Sequence, residues 1–168
     1  MLLPFHRSVS NPFVMHLPTF LKIKKNCWNT WNLPITRTKM AKSLEKENNV
    51  FFLAFVENVP VGFAKVKKHS LNEQIESIAQ MELQKIYVLS YYHGSGAGQA
   101  LFQAVVDLAN EIQPDFLWLD THVSNAKAIR FYEKNGFRKS GKYHFTIGTQ
   151  TFEYHLMSLP ITVMQPCC

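Results

Sequence analysis

Residues 81–137 place a strand, a glycine-rich turn, a helix, a second strand and a second helix in unbroken succession. The run Met81-Glu82-Leu83-Gln84-Lys85-Ile86-Tyr87-Val88-Leu89 leads to the turn His93-Gly94-Ser95-Gly96-Ala97-Gly98. From there apolar residues recur at helical spacing through Ala109, which predicts a helix from about 97 to 112. Pro114 and Asp115 break the chain before a second strand, Phe116-Leu117-Trp118-Leu119-Asp120-Thr121-His122. A strand–helix–strand crossover obliges its two strands to run parallel, with right-handed connection. A glycine-rich turn at a helix start also lets backbone N–H groups converge on an anion. A tight turn that merely closes the unit is the competing reading, and the glycines alone leave both open.

The flanking sequence extends the sheet. Val50 to Val56 is an apolar run of strand length, Glu57-Asn58-Val59-Pro60 turns the chain, and Val61 to Lys67 returns as the second arm of a hairpin. Residues 68–79 are polar and read as a surface loop. After Ser124 or Asn125, either of which caps a helix, that helix stops at Asn135-Gly136, a left-handed C-terminal signal. Phe137 to Phe145, interrupted by Gly141, and Thr151 to Leu159 then read as two further strands, ended by Pro160.

The glycine turn and the segment Asn125-Ala126-Lys127-Ala128-Ile129-Arg130-Phe131-Tyr132-Glu133-Lys134-Asn135-Gly136-Phe137 together resemble the GCN5-related N-acetyltransferase (GNAT) family, over about residues 50–160. In that family's pyrophosphate loop Gly96 and Gly98 fill the glycine positions, and His93 stands where Gln or Arg is expected. Leu83 to Val88, Phe116 to Leu119 and Phe145 to Thr151 look closest to PaiA-like small-amine and polyamine acetyltransferases. The resemblance implies an α+β (α/β) fold with a mixed, mostly antiparallel sheet, a central parallel strand pair and helices on both faces. It also implies acetyl-coenzyme A as co-substrate and a primary amine as acceptor.

By the same resemblance, the backbone of Ile86, Tyr87 and Val88 would bind the pantetheine arm, one amide acting as an oxyanion donor. His93, Gly94, Ser95, Gly96, Ala97 and Gly98 would hold the pyrophosphate. Asn125 reads either as a contact to the pantetheine region or as a plain helix cap. Tyr132 corresponds to the general acid that protonates the departing thiolate, a role that suits a phenol protonated at neutral pH. Glu82 is the leading candidate base, with Glu153 and His155 as alternatives. A polyamine site would draw carboxylates from Glu82, Glu73, Glu76 and Glu153.

Charge and cysteine usage exclude several other classes. The formal charge of +6 lies wholly in residues 1–49, which hold eight Lys or Arg against two Glu, while residues 50–168 hold ten of each sign. A nucleic-acid partner is therefore not expected. Cys27, Cys167 and Cys168 give neither a disulfide framework nor, with the scattered histidines, a metal site, and a reducing, cytoplasmic setting follows. No apolar run approaches the ~20 residues that span a bilayer. A Rossmann reading fails because the turn is not Gly-x-Gly-x-x-Gly directly after the strand.

The first 44 residues lack acidic groups, contain prolines at 4, 12, 18 and 34, and show no clean helix or strand period. The resulting division is an atypical basic segment at 1–44, disordered or non-native, an acetyltransferase domain at 45–160 and a tail at 161–168. The family's opening strand and two helices, one wall of the acceptor cleft, are not recognisable in 1–44. Three functions remain in play: a small-amine or polyamine acetyltransferase, a protein N-terminal or lysine acetyltransferase, and an acetyl-coenzyme A-binding module with an impaired acceptor wall. Homodimerisation through the last strands is compatible with each.

Overall fold

The computed structural model describes residues 13–17, 37–147 and 149–162. They form seven strands and three helices: β1 (Phe13–Leu17), α1 (Arg37–Leu44), β2 (Asn49–Val56), β3 (Val59–Lys67), β4 (Gln80–Val88), α2 (Ala97–Ile112), β5 (Phe116–His122), α3 (Ala126–Lys134), β6 (Arg138–Ile147) and β7 (Gln150–Pro160). The chain divides into two compact units. The first is residues 1–66 with 85–106, and the second is 67–84 with 107–168. Strand order is β1-β2-β3-β4 in the first and β4-β5-β7-β6 in the second, β4 contributing one half to each. One strand pair, β4 with β5, is parallel, while β1·β2, β5·β7 and β6·β7 are antiparallel. The mixed, mostly antiparallel sheet implied by the resemblance is thus present.

In the first unit, β2 and β3 are joined by Glu57 and Asn58, both at positive φ (49° and 65°). Two consecutive left-handed residues make the tight hairpin turn whose twist matches that of the strands. Met40, Phe51 and Phe63 form its core cluster, with Leu44, Leu53 and Tyr87 packed against them. The sequence reading assigns no element before Val50, yet β1 and α1 both precede it. β1 pairs with β2 from Phe13↔Phe55 to Leu17↔Phe51. Helix α1 shows only Met40 and Leu44, one turn apart, to the core. The expectation of disorder over the rest of residues 1–44 lies outside the described residues.

In the second unit the polar stretch 68–79 is the expected surface loop, and it is held down at both ends. Gln80 is 1% exposed, and its amide nitrogen donates to the carbonyls of Asn72, Ile75 and Ser77, while its oxygen accepts from Asn72 N at 2.7 Å. This staple seats Ile75 in a core cluster with Trp118 and Leu156. Trp118 Nε1 donates to Ser70 O at 2.8 Å, tying the other end of the segment down. Strand β6 carries a register shift between Lys139↔Met157 and Gly141↔Leu156. The Gln74 side-chain amide lies directly over Gly141.

Candidate active site

The second unit gathers a charged cluster on one face of its sheet. The parallel ladder of β4 and β5 runs from Gln80↔Phe116 to Glu82↔Trp118, so Glu82 stands at its last pair. Glu82 is 7% exposed, and its Oε2 accepts from Lys67 Nζ and from the Ser70 hydroxyl, each at 2.6 Å. Two residues beyond Trp118, Asp120 shares the same face of β5. Asp120 accepts a hydrogen bond from the Tyr143 phenol, and its pKa is raised. Desolvation is the main cause and the Glu82 charge adds to it, against the lowering effects of the Tyr143 hydrogen bond and the Lys67 charge. The Tyr143 phenol is pushed far above its ordinary value by desolvation, then by its bond to Asp120 and the charges around it.

Aromatic rings continue this face. Register places His122 opposite Tyr154 and Tyr154 opposite Tyr143, one row across β5, β7 and β6. Tyr143 and Tyr154 stack with centroids 5.8 Å apart and planes 15° apart. His122 stands edge-on to Tyr154 at 5.4 Å and to Phe152 at 6.0 Å.

Helix α3 and its cap hold two further predicted residues of this unit. Asn125 is its N-cap, the side-chain oxygen accepting from Ala128 N at 3.2 Å. Tyr132 is 7% exposed, packs on Phe137 at 5.6 Å, and has its pKa raised by burial, so the phenol keeps its proton at neutral pH. Gly136, at φ 91°, ends the helix. Glu153 lies on the opposite face of β7 from Tyr154, bound to Lys142 at 2.8 Å, and that bond lowers its pKa. His155, also on that opposite face, has a buried Nδ1 without a hydrogen-bond partner among the described residues.

In the first unit, Ile86, Tyr87 and Val88 form the end of β4, and a 3-10 turn at Ser90–Tyr92 leads to the glycines. Gly94 and Gly96 take φ of 88° and 86°, conformations open to glycine at little cost, and Ala97 and Gly98 begin α2. A Cβ at Gly94 would meet nothing within 4 Å, so the turn leaves open space at its surface. The first-turn N–H groups of α2 have no acceptor within the helix and favour an anion there. His93 differs from a simple phosphate contact: its Nε2 lies 3.0 Å from Val88 O, pinning the turn to the strand end. Gly62 on β3 matters to the same strand, because a Cβ there would lie 2.8 Å from Tyr87 O.

Sequence reading therefore named Glu82 but passed over Asp120, Tyr143 and Lys67. One signal was present: Asp120 is a lone charge inside the otherwise apolar strand Phe116-Leu117-Trp118-Leu119. Tyr143 carried no such signal, because its face is set by the β6 register shift.

Residues 17–137 match the acetyltransferase (GNAT) family, and the chain belongs to that family. The match begins well before residue 50, where the resemblance read from the sequence starts. An uncharacterized N-acetyltransferase of Mycobacterium tuberculosis (strain H37Rv) is 40% identical over 68 residues, which is 40% of this chain. The chain spans 44% of the length of that relative. The crystal structure of the ribosomal-protein-S18-alanine N-acetyltransferase from Escherichia coli aligns with a TM-score of 0.69 at 20% identity, covering 92% of this chain and 97% of the other. A GNAT family acetyltransferase from Elizabethkingia anophelis with acetyl-CoA bound aligns at 0.65 and 15% identity, covering 90% and 99%. Both structures share the fold. No helix among the described residues is long and apolar enough to cross a membrane.

Proposed function

We propose that this chain is an acetyl-coenzyme A-dependent N-acetyltransferase acting on a primary amine, with residues 45–160 carrying the activity. The observation that carries the reading is the glycine turn at the start of α2, with Gly94 and Gly96 at positive φ, in a chain that belongs to the GNAT family. Backbone N–H groups of Gly94 to Gly98 with Ser95 between them would receive the pyrophosphate, and those of Ile86, Tyr87 and Val88 the pantetheine arm. His93 would act by holding this turn against Val88, and Asn125 by capping α3. The co-substrate supplies an acetyl group on a thioester.

As the amine nitrogen bonds to the thioester carbonyl carbon, the carbon–sulfur bond breaks. The proton lost by the amine goes to a carboxylate of the Glu82–Asp120 pair, and the thiolate takes its proton from Tyr132. Of the two carboxylates, Asp120 is the one whose pKa is raised, the direction that favours accepting a proton. Glu82, bound to Lys67 and Ser70, would contribute its charge to that shift. The PaiA-like segments support a small amine or polyamine as acceptor, and the cysteine usage supports a reducing, cytoplasmic setting. Fold alone does not choose an acceptor.

Calorimetry with acetyl-coenzyme A, followed by thiol release with small amines, polyamines and peptide acceptors, tests this reading. Binding with turnover of a small amine supports it. Turnover of peptides alone would move the acceptor class to protein, and binding without any turnover would favour the impaired module. Absence of binding would overturn the coenzyme assignment.

A further inference from the structure

The acceptor face of the second unit has a charge balance and a surface chemistry that narrow the amine. Glu82, Asp120 and Lys67 together leave a single net negative charge, because Lys67 is paired with Glu82 at 2.6 Å. The other carboxylates named for a polyamine do not add to it. Glu153 is bound to Lys142 on the opposite face, and Glu73 and Glu76 are exposed on the stretch stapled by Gln80. Beyond Asp120 this face continues in rings: Tyr143, Tyr154, His122 and Phe152, with Phe145 opposite Phe152 and 54% exposed. The near end is closed by Ile75 and Gln74 over Leu156 and Gly141, so the open part begins at Asp120 and runs outward over the aromatic row.

We propose that this face selects a monocationic amine with an aromatic body, the ammonium at Asp120 and the ring on the Tyr143–Tyr154–Phe152 shelf. The inference rests on the acetyltransferase reading for its catalytic meaning, but the binding preference stands on the face itself. One unbalanced carboxylate matches one ammonium. A di- or triamine would bring one or two further charges onto a row of rings that carries no further carboxylate to balance them. A flat ring instead gains offset or edge contacts with the stacked phenols.

The test is calorimetry on the full chain loaded with coenzyme A, titrated with 2-phenylethylamine, hexylamine and spermidine, with thiol release from acetyl-coenzyme A followed in parallel samples. The expected Kd for 2-phenylethylamine is at least about tenfold below those of the other two, the scale of a few well-placed ring contacts. Tyr154→Ala should erase that advantage, while Tyr154→Phe, which keeps the ring, should retain it. The second variant guards against mistaking misfolding for lost recognition. Spermidine or hexylamine binding as well as 2-phenylethylamine overturns the proposal, as does a Tyr154→Ala protein that folds and keeps the ring preference. A wild-type chain that buries this row in a dimer, shown by Tyr154→Ala lowering the sedimentation mass, also overturns it. Ring-selective binding without thiol release supports the site and removes the acetyltransferase reading. Turnover that prefers spermidine does the reverse.

Discussion

Lys67 Nζ lies 2.6 Å from Glu82 Oε2, and this contact is what allows a carboxylate to sit 7% exposed at the last pair of the parallel ladder. Burying one charge without its partner is far more costly than burying the pair. Lys67→Met should therefore destabilise the chain by about 1–3 kcal/mol, moderated because the lysine is partly exposed and Ser70 still donates to Glu82. Urea unfolding at neutral pH measures this. The same change removes a charge that lowers the Asp120 pKa. The acidic limb of kcat/KM should move to higher pH, and an unmoved limb would disconnect Lys67 from the base.

Asp120 is raised from 3.8 in the folded chain, so folding favours its protonated form. Its contribution is complete below pH 3.8 and is lost as pH rises through the folded value. Asp120→Asn removes that titration. The variant should be at least as stable as the parent at pH 7, with the difference shrinking toward pH 3. Thiol release should nevertheless fall by about 10²–10⁴-fold, the scale of general acid–base catalysis. Paired urea titrations at pH 3 and 7, with rates at pH 7, check both. Lower stability at pH 7 would show that Asp120 is held as a structural anion instead.

Much of the second unit was legible because its elements announce themselves locally. Helix α3 has a capping Asn125, a terminating Gly136 and buried Ile129 and Tyr132 three residues apart, all readable from spacing. The Asp120–Tyr143 bond was not readable. It depends on the extra residue at Ser140, which shifts the β6 register so that Tyr143 pairs with Tyr154. Without it Tyr143 would stand opposite Glu153 and turn to the other face. β1 is a different failure. Its five residues between Pro12 and Pro18 gain strand character by pairing with β2, far along the chain at Phe51 to Phe55, and local periodicity cannot report a long-range partner. Helix α1 shows the core only Met40 and Leu44, a pattern too sparse to stand out among eight residues.

Gly62 is where β3 approaches the end of β4 without a side chain. Gly62→Ala would put a methyl 2.8 Å from Tyr87 O, and 3.1 Å from both a Leu101 methyl and a Val88 methyl. A backbone oxygen cannot swing aside as a side-chain end can. The strand must shift, at about 1–3 kcal/mol for an overpacked core position. Because Tyr87 and Val88 are proposed to bind the pantetheine arm, the Kd for acetyl-coenzyme A should rise by about tenfold or more. Calorimetry on the folded variant reads this directly. An unchanged Kd would place the coenzyme away from the end of β4.

Under the proposed function, Tyr132→Phe separates binding from chemistry. The Tyr132 phenol is buried against Phe137, and burial raises its pKa above the ordinary 10. A hydroxyl that stays protonated across the working range is a donor ready for the thiolate, and it imposes no alkaline limb of its own below pH 10. Tyr132→Phe keeps the ring and its packing while removing the proton. Acetyl-coenzyme A should bind within about twofold of the parent, and kcat should fall by about 10²–10⁴-fold. If the parent shows a falling limb below pH 9 that disappears in Tyr132→Phe, the phenol ionises too easily for this assignment. If kcat is unchanged, the thiolate takes its proton elsewhere and Tyr132 is a packed aromatic.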